Sequence, residues 1–240
     1  MARLPRLYAP DIPQLVQAEF AQPLAAASDP TPVQQLDQLM AWLRTDAREY
    51  RVALHAWLIL NDRITLLATP PDERGISRLM QALGRRMAAG MRHGRVYKGR
   101  YRGALVQPGM WVLPAQIWLE SLPVQGRYVD EPAHWPWSSA AGHAGIASSH
   151  ADLATDHADY WHIGNTPFAR QASYQALIGR GLTQPQGRRI QDALFGQWVL
   201  GDADFLEWIK TRASRRVAPA PRGRPRKAAA EPDTPARTLA

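Results

Sequence analysis

Residues 52–61, VALHAWLILN, limit what this chain can become more than any other stretch. The run is dense in apolar side chains and bounded by polar ones, and it is far too short to cross a membrane, so it reads as a buried strand. Asn61-Asp62 is a turn signal, and RITLLAT at 63–69 is a second strand, so the two make a hairpin. Upstream, QLVQAEF at 14–20 is a further strand, and Ser28 and Asp29 are candidate caps for a helix. That helix runs to about residue 48, because Val33, Leu36, Met40, Leu43 and Ala47 recur at three- and four-residue spacing. Downstream of Pro70-Pro71, the spacing of Ile76, Leu79, Met80, Leu83, Met87 and Met91 predicts a helix over 74–92, with methionine as core filler.

GALVQP at 103–108 adds a strand, and residues 111–121 a short helix. The order strand–helix–strand–strand–helix–strand predicts an α+β protein: a ferredoxin-like antiparallel sheet with helices on one face. Beyond it, Trp135-Pro136-Trp137 and Ser138-Ser139 open a helical turn with Ser138 as candidate cap. Residues 146–167 read as irregular, and helices are expected at 168–181, 186–199 and 202–213. The predicted organisation is a domain over 1–147, a linker over 148–167, a helical extension over 168–213, and a disordered basic tail over 214–240.

The absence of cysteine excludes disulfides, a thiolate metal site and a Cys nucleophile. With no apolar run of membrane-spanning length and a proline-broken N-terminus, a soluble cytoplasmic protein without membrane contact is the expectation. The net charge is +8, and nine Lys/Arg against Glu231 and Asp233 put +7 of it after residue 209. Within the near-neutral remainder, residues 74–102 hold nine basic side chains and no acidic one. Two basic segments on an otherwise acidic body point to a polyanion partner. Arg74, Arg78, Arg85 and Arg92 line one face of the second helix. Arg95, Tyr97, Lys98, Arg100, Tyr101 and Arg102 interleave cations with aromatics, a pattern suited to phosphate contact and base stacking. Arg3 and Arg6 sit on an N-terminal arm. The tail carries PRGRPRK at 221–227, which matches an AT-hook core. In such a core Arg222 and Arg224 enter a narrow AT-rich minor groove because Gly223 has no side chain, with Arg226 and Lys227 flanking.

Taken together, LHAWLILN–RITLLATP, the basic helix, GRYRGALV, and LPVQG followed by WPWSSAAGHAG resemble the REP-associated tyrosine transposases, over residues 1 to about 145. These are single-tyrosine transposases with a His-hydrophobic-His motif. The resemblance implies the ferredoxin-like sheet, hairpin-bearing or single-stranded DNA as partner, a divalent metal held by the two histidines, and a tyrosine that attacks phosphorus. It also makes a homodimer an expectation, since members often pair. On this alignment Arg63 and Thr65 stand where the histidines belong, and Trp118 where the tyrosine belongs. Arginine has no free lone pair, threonine is a weak neutral ligand, and indole has no nucleophilic oxygen. The catalytic set is therefore expected to be lost, with no metal site and no cofactor. Mg2+ or Mn2+ would be needed only for a retained activity. The resulting reading is a DNA-binding, nucleoid-associated protein without strand cleavage. Two alternatives stay open. One is an active metal-dependent single-strand transposase or nuclease with relocated residues, its nucleophile sought among Tyr97, Tyr101 and Tyr128. The other is an RNA-binding module. His55 is read as a packed or hydrogen-bonded histidine.

Overall fold

The computed structural model describes residues 5–25, 31–91 and 95–219. The strands are β1 (Gln14–Glu19), β2 (Ala53–Ile59), β3 (Arg63–Thr69) and β4 (Arg102–Leu105), all antiparallel in the order β2-β3-β1-β4. Helix α1 (Val33–Glu49) links β1 to β2, and α2 (Gly75–Met91) links β3 to β4. This is the ferredoxin-like order expected from the sequence. The caps proposed at Ser28 and Asp29 fall outside the described residues, and Pro32 occupies the N-cap of α1.

Strand alternation gives β1 two faces, with Val16, Ala18 and Phe20 on one and Leu15, Gln17 and Glu19 on the other. The ring of Phe20 stacks on Tyr97, whose hydroxyl donates to the Met80 carbonyl of α2, so α1 and α2 cover the first face. The second face is covered as well. Helix α3 (Val112–Glu120) runs against β2 and β3, and α4 (Leu122–Gln125) follows it. His55 sits at a register shift in β2, where its ring nitrogens bond the Thr155 carbonyl (2.7 Å) and the Thr69 hydroxyl (2.8 Å). It is a hydrogen-bonded core histidine, as read.

Both sheet edges are closed. Along β2, Ile59 N donates to Trp137 O and Ser139 N to Trp57 O, while the Trp135 indole donates to Ile59 O (2.9 Å). The Trp-Pro-Trp-Ser-Ser motif is thus a fifth-strand substitute, leading into α5 (Ala140–His143). Along β4, Leu200 N donates to Leu105 O and Gln107 N to Leu200 O.

The chain then runs through α6 (Ala158–Trp161), α7 (Pro167–Arg180), α8 (Gln184–Gly196) and α9 (Ala203–Lys210). These later helices are not a satellite. Ile190, Ala193 and Leu194 of α8 belong to the main core with Trp57 and Trp135, and Thr155 N donates to Leu54 O of β2.

Two sequence expectations change. Residues 214–219, assigned to a disordered tail, are packed: Val217 is buried, Val199 N donates to its carbonyl, and the Ser214 hydroxyl donates to Arg6 O. The N-terminal arm is held by the same contacts, with Leu7, Ala9 and Ile12 in an apolar cluster with Val217, Val199 and Ile209. An arm and a tail far apart in sequence satisfy each other's backbone groups, which no local pattern announces.

Candidate nucleic-acid interface

The basic segment after α2 folds back on that helix because Gly84 lets it approach. A side chain at position 84 would place its first carbon 2.9 Å from the Tyr97 ring. Tyr97 therefore lies flat on α2, its hydroxyl 3.1 Å from Met80 O. Four residues on, Tyr101 is 8% exposed, with its hydroxyl 3.0 Å from Ser77 Oγ. Arg6 lies over the Tyr101 ring at 3.2 Å and donates from Nη1 to the Tyr101 carbonyl (2.8 Å). These contacts leave a groove of about 690 Å3 between α2 and residues 96–101. Arg6, Arg85 and Arg100 line it, Tyr97 and Tyr101 form its floor, and no carboxylate is among its described lining residues. Burial lowers the Arg6 pKa to about 10, with Tyr101 opposing and Arg100 adding to the shift, so the groove keeps its charge at neutral pH. Burial also raises the pKa of both tyrosines, for Tyr97 with Asp46 adding and for Tyr101 against the pull of Arg6. Neither ring is an open stacking platform, and neither hydroxyl is a ready phenolate.

The other cations are more neutralised than the sequence suggested. Acids from outside the 74–102 segment reach into it: Arg78 pairs with Asp72 (3.3 Å), Arg86 with the buried Asp46 (3.0 Å), and Lys98 with Glu19 (3.3 Å). Arg95 folds back onto the carbonyls of Tyr97 and Lys98. Arg74 and Arg85 are exposed, as is Arg102, which donates to Phe195 O (3.0 Å). Arg3, Arg92, Arg222, Gly223, Arg224, Arg226 and Lys227 lie outside the described residues.

Arg63 lies at the start of β3 and makes a two-pronged pair with its neighbour Asp62, Nη2 to Oδ2 at 2.6 Å and Nε to Oδ1 at 2.9 Å. Asp62 precedes the strand, so its side chain is not bound to the strand's alternation and can turn toward Arg63. Thr65 is 0% exposed, and its hydroxyl has no hydrogen-bond partner among the described residues. Gln17, across the ladder from it, is buried, and its Oε1 has no hydrogen-bond partner among the described residues. Trp118 is 4% exposed within the core. Among the described residues, no group of three or more His, Cys, Asp or Glu side chains could hold a metal ion. Tyr128 is half-buried against Trp135. Burial raises its pKa, with the charge of Asp62 adding and that of Arg63 opposing.

Sequence reasoning missed the buried centre at the end of α3. Glu120, 0% exposed, accepts hydrogen bonds from Ser139 Oγ (2.5 Å), His143 Nδ1 (2.6 Å) and Tyr174 OH (2.6 Å), and Tyr160 OH donates to His143 O. Burial opposes the imidazolium, yet the Glu120 carboxylate outweighs it, and the His143 pKa is raised. The available signal was a lone acid inside the apolar run VLPAQIWLE. A charge there must be either an error of pattern or a paired group.

No family model and no curated protein matches the sequence. Among solved structures, the chain is similar to a REP-associated tyrosine transposase bound to a REP hairpin, at 14% identity and a TM-score of 0.52, covering 65% of this chain and 93% of that one. The fold is shared. A candidate transposase from Deinococcus radiodurans R1 is similar at 19% identity and a TM-score of 0.34, over 54% of this chain and 96% of that one. No helix among the described residues is long and apolar enough to cross a membrane.

Proposed function

We propose that this protein binds hairpin-bearing or single-stranded DNA through the groove between α2 and residues 96–101, on a transposase fold that no longer cuts. The observation that carries the reading is the groove itself, where Arg6 and Arg85 stand at an aromatic floor and no carboxylate lies among the described lining residues. Arginines such as Arg6 and Arg85, held at fixed positions on a groove, exchange condensed counterions for phosphate contacts, which gives affinity and a steep salt dependence. That a solved structure with this fold holds a REP hairpin supports the choice of ligand.

The positions that carry the chemistry in the tyrosine transposases favour binding over cleavage. A guanidinium neutralised by Asp62 and a buried threonine do not fit a divalent metal, whose oxygen or imidazole donors must offer lone pairs. A buried indole at 118 supplies no nucleophile. Association with the nucleoid and an AT-rich contact by the tail extend the same reading.

A labelled REP-type hairpin titrated by fluorescence anisotropy tests it. Wild type should bind, and Arg85→Gln should weaken binding and lower the slope of log affinity against log salt by roughly 0.7–0.9, the value of one phosphate contact. Equal binding by the variant would sink the groove assignment, and preference for the same hairpin as RNA would sink DNA. A second reading rests on Tyr128, whose hydroxyl feels the charges of both Asp62 and Arg63. A covalent protein–DNA adduct formed with Mg2+ or Mn2+ and lost in Tyr128→Phe would establish it.

A further inference from the structure

Another cavity shares no lining residue with the groove. It holds about 200 Å3 between Trp57 of β2, the α5 segment and the start of α7. Two of its lining side chains carry nitrogens that the folded chain leaves unused. Trp57 is 1% exposed, and its indole N–H is buried without a hydrogen-bond partner among the described residues. His143 is 2% exposed, and Glu120 engages only its Nδ1 edge. Its Nε2 is buried and unpartnered, and looks across 3.8 Å to Asp156, another lining residue. The raised pKa of His143 favours the imidazolium, in which Nε2 is a donor.

Charges of both signs line the same space. Arg170 of α7 is buried, donates from Nη1 to the Gly164 carbonyl, and lies over the Trp161 ring at 3.8 Å. Among the described residues, no carboxylate pairs with it. Asp156 reaches only His143, at a distance beyond a hydrogen bond. A polar gap of that length is closed by an intervening polar atom. The carboxylate and the guanidinium thus line one cavity without pairing with each other.

This arrangement selects against simple ions. An anion on the donors would leave the Asp156 charge beside it unpaired, and a cation on Asp156 would meet Arg170 and His143. A dipolar ligand satisfies both signs, its carboxylate taking N–H groups of Arg170 and His143 and its ammonium taking Asp156. Gly142, Ala151, Ala154 and Pro167 are also in the lining, which leaves room for a short apolar side chain. Ala151 and Pro167 are exposed, so the cavity has a mouth.

We infer that this cavity binds a free α-amino acid with a short apolar side chain, its ammonium on Asp156 and its carboxylate on Arg170 and His143. The site stands apart from the DNA reading, since neither uses the other's residues. Full-length protein is melted alone and with L-alanine, L-valine, L-leucine or L-methionine. At about 10 mM, about a hundredfold over a Kd of about 0.1 mM, the fitting probe should raise Tm by roughly 5–11 °C. The N-acetyl derivative of that probe lacks the ammonium and its amide lacks the carboxylate, so neither should raise Tm. Asp156→Asn keeps the shape of a partly exposed side chain, and calorimetry should show the probe bound roughly tenfold more weakly or worse. Arg170→Lys, the second variant, keeps a charge beside Trp161 but loses the fork that grips a carboxylate, and should weaken binding similarly. No shift with any of the four probes means that solvent alone fills the cavity, and overturns the site. An equal shift from the N-acetyl derivative or the amide overturns the dipolar ligand. Full affinity in either folded variant overturns the placement in this cavity.

Discussion

Replacing Glu120 by glutamine tests the buried centre that ties α3 to α5 and α7. The carboxylate accepts from three donors, Ser139, His143 and Tyr174, and is fully buried. A carboxamide keeps one acceptor oxygen and brings an NH2 group, so the Tyr174 hydroxyl must turn to accept, its own proton loses its acceptor, and the negative charge opposite His143 is gone. An unsatisfied buried group costs about 1–3 kcal/mol, and removing one partner of a buried ion pair about 3–5 kcal/mol. Taking about 3–5 kcal/mol for the whole change, at about 2–4 °C per kcal/mol for a chain of this size, Tm should fall by roughly 6–20 °C. The sign with pH follows from His143, whose folded pKa is raised. Its stabilisation is fully present below the unfolded value near 6.5 and is lost as pH rises through the folded value. Thermal melts of wild type and Glu120→Gln across pH 6 to 9 should therefore show the largest gap at the acid end. A variant that melts within about 2 °C of wild type, or a gap that widens with pH, refutes the assignment of a charged pair.

Three further outcomes are expected. Burial lowers the His55 pKa to about 4, against the hydrogen bond to Thr155, so its contribution is intact above pH 6.5 and is lost as pH falls toward 4. His55→Gln removes the titrating ring and should flatten that acid limb by about one proton, or about 1.4 kcal/mol per pH unit; an unchanged limb contradicts the burial argument. Gly84→Ala gains about 1 kcal/mol of helix propensity but pushes on the Tyr97 ring, at about 1–3 kcal/mol, so urea melts should show a net loss. The same change in a Tyr97→Leu background should stabilise, and a loss in both backgrounds would mean that the ring is not the obstacle. Ending the chain after residue 219, which keeps the packed segment 214–219, should lower the salt slope by roughly 0.9 for each duplex phosphate contact of the tail; an unchanged slope means the tail does not touch DNA.

The sheet was legible because its signals are local. An apolar run, a two-residue turn and helices of fixed period determine four strands and two helices without reference to anything distant. What the sequence hid is what depends on distant partners. Asp46 and Glu19 neutralise cations in a segment that holds no acid of its own. Ser214 holds Arg6, and Leu200 extends β4. Tyr97 and Tyr101 look like free aromatics among arginines until their hydroxyls are seen bonded to Met80 and Ser77 of α2. Of the predicted cations, Arg6, Arg85 and Arg100 come together in the groove, and Arg102 points instead to the α8 turn.

The closure of the sheet edges also dictates an order of events during synthesis. Strand β2 completes its outer ladder only when Trp137 has been made, and β4 waits for Leu200, which lies 95 positions beyond Leu105. At ribosomal rates of about 5–20 residues per second, the β4 edge stays open for roughly 5–19 seconds after its own synthesis. Until then the half-built sheet offers unpaired backbone to any neighbouring strand, a template for wrong pairing. The C-terminal third of the chain is thus also the cover that the nascent protein must survive without.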